Sequence, residues 1–71
     1  MIELDIRRQN GTIKKTVINV RYIRWFDILV DSGELLIWML GNEHPLVYND
    51  DILTDTNILD VYKRLKILMM K

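Results

Sequence analysis

The stretch Tyr22-Ile23-Arg24-Trp25-Phe26-Asp27-Ile28-Leu29-Val30-Asp31-Ser32-Gly33-Glu34-Leu35-Leu36-Ile37-Trp38-Met39-Leu40 decides the fold. Two apolar runs flank the turn formers Asp31-Ser32-Gly33-Glu34, so the stretch reads as two antiparallel strands, Tyr22 to Val30 and Leu35 to Leu40. With Ser32 and Gly33 as the loop, Val30, Ile28 and Phe26 oppose Leu35, Ile37 and Met39 on one face, which Tyr22 extends and Arg24 interrupts. The other face holds Trp25, Leu29, Leu36, Trp38 and Leu40, broken by Asp27. A single helix covers one face of a sheet in a small α+β protein, which leaves a second apolar face over.

Upstream, Ile2, Leu4 and Ile6 alternate with Glu3, Asp5 and Arg7, the pattern of a half-buried strand. Asn10-Gly11 supplies a hairpin turn, and a second strand follows from about Thr12 to Val20. A two-residue loop sets Leu4 opposite Val17 and Ile6 opposite Lys15. One extra loop residue sets Leu4 opposite Ile18 and Ile2 opposite Val20, and this register is preferred because it keeps the apolar faces together. A bend is expected near Asn19–Arg21.

Downstream, Gly41-Asn42-Glu43-His44-Pro45 punctuates the chain and Leu46-Val47-Tyr48 forms a short final strand. Asn49 to Asp55 reads as an acidic loop with Ile52 and Leu53 turned inward. From about Thr56 to Met70 the period changes: Ile58, Val61, Tyr62, Leu65, Leu68 and Met69 form the stripe of an amphipathic helix, with Asp55, Thr56 or Asn57 as its cap. The expected architecture is a single α+β domain over 1–71. It is an antiparallel meander of four or five strands within about 1–48, with the helix at about 56–70 packed on one face.

Composition narrows the function. The 71 residues include no Cys, which removes disulfides, thiol nucleophiles and Cys-based zinc sites. No apolar run approaches the ~18–20 residues that span a bilayer. The start, Met1-Ile2-Glu3-Leu4-Asp5, lacks the basic and then apolar pattern of a secretion signal. A cytoplasmic protein is expected, and the absence of Ala beside abundant Ile, Leu, Asn, Lys and Asp suits a bacterial or phage origin. Ser32 is the only serine and His44 the only histidine, neither with a triad companion at a telling spacing, so the expectation is a binding protein without cofactor or metal, not an enzyme.

Ten basic and ten acidic residues cancel, yet they are segregated: residues 1–26 carry net +4, 27–60 net −8 and 61–71 net +4. Three constellations follow. The face of Trp25, Leu29, Leu36, Trp38 and Leu40 reads as a protein-binding surface, because Trp anchors are enriched in interfaces. A homodimer is its most economical user, and a heterologous protein the next. Arg7, Arg8, Lys14, Lys15, Arg21 and Arg24, interleaved with Tyr22 and Trp25, offer the alternative of nucleic-acid binding, disfavoured by the lack of overall basic excess. Glu43, His44, Asp50, Asp51 and Asp55 lack the calcium-loop spacing and read as a solvated loop.

The order Ile2-x-Leu4, Asn10-Gly11, Asn19-x-x-Tyr22-Ile23, then apolar strands and a terminal helix, resembles the small FlbD-type bacterial proteins associated with flagella and swarming. The resemblance lies mainly in the first third, and the family's Thr-Arg before Asn-Gly is absent. It implies an architecture; it supplies no catalytic residues and no flagellar role. The functional expectation is therefore a small regulatory or inhibitor protein that acts by binding another protein.

Overall fold

A computed structural model describes residues 1–70. The order is β1 (Ile2–Arg7), β2 (Ile13–Ile18), a 3-10 turn (Val20–Tyr22), β3 (Ile23–Leu29), β4 (Glu34–Met39), β5 (Leu46–Asn49) and α1 (Ile58–Met69). The strands divide into two antiparallel sheets, β1-β2 and β3-β4-β5, in place of one continuous meander.

The first hairpin adopts neither expected register: Ile2 pairs with Ile18, Leu4 with Thr16 and Ile6 with Lys14. The turn is the cause. Arg8 N–H donates to the Thr12 carbonyl at 2.8 Å, which leaves Gln9, Asn10 and Gly11 as the loop, and Gly11 N–H donates to the Arg8 carbonyl at 2.9 Å. Gly11 alone takes the left-handed conformation, φ 86°, whereas a two-residue Asn-Gly turn needs it at both positions. Asn10 instead uses its Oδ1 to accept from Thr12 N–H at 3.1 Å and from Thr12 Oγ1 at 2.6 Å. On its other side β1 meets the acidic loop. Arg7 N–H donates to the Ile52 carbonyl at 2.7 Å and Thr54 N–H to the Asp5 carbonyl at 3.2 Å, and Leu53 between them is buried.

The bend between the sheets is the 3-10 turn, where the Asn19 side chain accepts from Arg21 N–H at 3.0 Å. In the central hairpin, Ile28 pairs with Leu35 and Phe26 with Ile37. The loop is Val30 to Gly33, closed by Gly33 N–H donating to the Leu29 carbonyl at 2.8 Å. This shifts the expected pairing by two residues and so preserves which side chains share a face. It also expels Val30, which is 80% exposed. A bulge at Arg24, between Ile23 and Trp25, breaks the alternation, so Ile23 is buried and Tyr22, expected inside, is exposed.

Helix α1 is capped by Asn57, whose side chain accepts from Asp60 N–H at 2.8 Å, while Asp50 Oδ1 accepts from Ile58 N–H at 2.8 Å. Its buried stripe is Ile58, Val61 and Leu65, and Tyr62 meets Phe26 edge-on with centroids 5.4 Å apart. Leu68, assigned to the stripe by periodicity, is 37% exposed. The helix lies against β3, β4 and the 3-10 turn. Ile2, Leu4 and Ile18 from the hairpin, Ile23, Leu35, Ile37 and Tyr48 from the larger sheet, and Leu53 complete one apolar core.

Candidate protein-binding face

With α1 on the inner face of the larger sheet, the outer face is left bare by the described residues. Its rows follow from the register: Trp25 beside Trp38, then Asp27, Leu36 and Val47, then Leu29, Glu34 and Asn49. Trp25, Leu29 and Val47 are each 42–45% exposed, and Leu36 and Trp38 are half-buried among them. The two indoles sit 5.6 Å apart at 35°, and the Arg24 guanidinium lies 4.7 Å from the Trp25 ring centroid, a cation–π stack. Trp38 Nε1 is shut off from solvent and has no acceptor among the described residues. Such an N–H costs about 1–3 kcal/mol, which the apolar contacts of the ring must offset.

Four of the five expected face residues, Trp25, Leu29, Leu36 and Trp38, thus lie together. Leu40 is displaced from them: it follows the end of β4, its N–H donating to the Tyr22 carbonyl at 2.7 Å, and it borders a groove of about 520 Å³ between the two sheets. Val47 belongs to the face but was not among the expected residues. The signal was present in Leu46-Val47-Tyr48, since burying Tyr48 turns Val47 outward. Tyr48 lines the same groove from within, and burial pushes its phenol above the usual tyrosine range.

The basic residues belong to two places. Arg7, Arg8, Lys14 and Lys15 are on the first hairpin, whereas Arg21 lies within the 3-10 turn and Arg24 follows it in β3, beyond the far end of β2. Lys14 and Lys15 point to opposite faces of β2. Lys15 Nζ lies 3.5 Å from Asp5 Oδ1 and 4.0 Å from Glu3 Oε1, so carboxylates are interleaved with this basic set. In the acidic loop, Asp50 serves as a second cap for α1, and no group of three His, Asp or Glu able to hold a metal occurs among the described residues. Among those residues, no helix is long and apolar enough to cross a membrane.

These features define an antiparallel α+β protein with one helix-covered sheet face and one open, aromatic sheet face. Compared with known proteins, the chain matches no family model, no curated protein and no solved structure.

Proposed function

We propose that this is a small, non-enzymatic regulatory or inhibitor protein that acts by binding a protein through the outer face of the β3-β4-β5 sheet. The observation that carries the reading is the Trp25–Trp38 pair set among Leu29, Leu36 and Val47 on a face that no described element covers. Burying such a face returns roughly 25 cal/mol per Å² of apolar surface, and aromatic anchors concentrate that return in a few contacts. The test is a photo-crosslinking side chain placed at position 36 in the expressing cell, with position 67, on the exposed side of α1, as control. A protein adduct from 36 and not from 67, lost on Leu29→Asp while the far-UV helix signal persists, is the expected outcome. A folded protein that gives no adduct at 36 contradicts it.

The second reading, nucleic-acid binding, is favoured by Arg24 stacked on an exposed Trp25, since a cation beside an accessible ring suits a phosphate next to a stacked base. It requires binding to a single-stranded oligonucleotide that weakens steeply with salt. A flat salt response, or no binding at low salt, removes it.

A further inference from the structure

We infer that the occupant of the outer face is a second copy of this chain, docked about a two-fold axis beside the Trp25–Trp38 pair so that Arg24 of each copy lies opposite Asp27 of the other. This rests on the reading of that face as a docking surface and adds its occupant and its register.

The argument begins with two charges. Arg24 and Asp27 flank Trp25 along β3: the guanidinium lies over the ring, and Asp27 is the next outward residue, about 7 Å along the strand. Among the described residues neither takes part in an ion pair; the only cation that does is Lys15. Whatever buries Trp25 must therefore also cover a guanidinium and a carboxylate, and leaving either desolvated and unpaired is strongly unfavourable.

A surface with a positive group on one side of an apolar centre and a negative group on the other is complementary to itself after a half-turn. In such an isologous contact residue i meets residue j and j meets i, so a single favourable pair is obtained twice. With the axis beside the indoles, the Trp25–Trp38 pairs of both copies meet at the centre and the two Arg24–Asp27 pairs close the ends. The charge distribution also selects the axis. A two-fold running across the strands through the Asp27–Leu36–Val47 row would place Asp27 against Asp27, a like-charge contact that opposes binding.

The test uses light scattering after size exclusion on the full chain, over a concentration series, with tryptophan emission read on the same fractions. The native protein dimerises with blue-shifted emission. Arg24→Asp and Asp27→Arg each weaken the dimer by about tenfold while leaving the far-UV spectrum unchanged, because both side chains are exposed. An equimolar mixture of the two variants recovers the native affinity. The mixed dimer sets the new carboxylate opposite the new guanidinium at one end and keeps native Arg24 opposite native Asp27 at the other. A native protein that stays monomeric, a dimer indifferent to both substitutions, or a mixture that fails to recover overturns the inference. A monomer that still gives a protein adduct from position 36 overturns only the two-fold pairing. A monomer that gives none overturns the docking reading with it.

Discussion

Tyr48 shows how much one side chain can report. It sits on the inner face of β5, is 7% exposed, and burial raises its phenol pKa because the phenolate would be poorly solvated there. A group whose pKa is higher in the folded than in the unfolded chain contributes stability fully below its unfolded value, near 10 for tyrosine, and loses it as pH rises through the folded value. Stability should therefore fall on the alkaline side of about pH 10. Tyr48→Phe should flatten that fall relative to the native chain, as measured by urea midpoints from pH 8 to 11. Equal alkaline losses in both proteins would assign the decline to other groups. Trp38 makes a different point at this scale. Its indole is half-buried with an unmatched N–H, so its presence on the sheet is explained by the flat apolar area it offers beside Trp25 and not by a hydrogen bond it makes.

At the scale of elements, the helix gives the sharpest contrast. Leu65 is fully buried, whereas Leu68, three residues on, is 37% exposed. Leu65→Ala should cost about 2–5 kcal/mol and Leu68→Ala about 0.5 kcal/mol or less in equilibrium unfolding. Comparable losses would mean that the last turn is packed. The periodic stripe named both residues because 3.6-residue spacing marks a direction on the helix, not the point at which the sheet beneath it ends. The strands show the same division between what is and is not legible. Ile2-x-Leu4-x-Ile6, the apolar runs about Ser32-Gly33 and the run of cap formers Asp55-Thr56-Asn57 announce where elements lie, since alternation and turn chemistry are local. Register is not local. It depended on Asn10 spending its side chain on Thr12, and on Gly33 closing a four-residue loop, Val30 to Gly33. The second shift was by two residues, an even number, so the aromatic face stayed legible even though its pairings were not.

For the whole molecule, the meander read from the sequence divides because the 3-10 turn takes the chain off one sheet before it enters the next. No local pattern marks that break, since Asn19-Val20-Arg21-Tyr22 is equally compatible with a bent continuous strand. The strapping of residues 52–54 along β1 was equally out of reach, as it joins segments some 47 positions apart, from Arg7 N–H to the Ile52 carbonyl through Thr54 N–H to the Asp5 carbonyl. Of the open face, Trp25, Leu29, Leu36 and Trp38 could be named in advance because one helix cannot cover two sides of a sheet. Val47 came only with the β4–β5 pairing. A chain of this length has a total stability of only about 4–10 kcal/mol. Leaving this much aromatic surface open is therefore a substantial departure from the apolar economy of the rest of the fold.

The bulge at Arg24 gives the chain a tolerance to length change at one position. Ile23 pairs with Met39 and Trp25 with Trp38, so Arg24 is the supernumerary residue of β3, with no counterpart across the ladder. Excising it would leave Ile23 facing the core and Trp25 facing out, as strict alternation requires, whereas excising a residue beyond the bulge, such as Phe26 or Asp27, would invert every side chain on one side of the cut. In evolutionary terms, Arg24 marks where an insertion or deletion could come and go without disturbing the interior, carrying with it the one guanidinium laid over the open face.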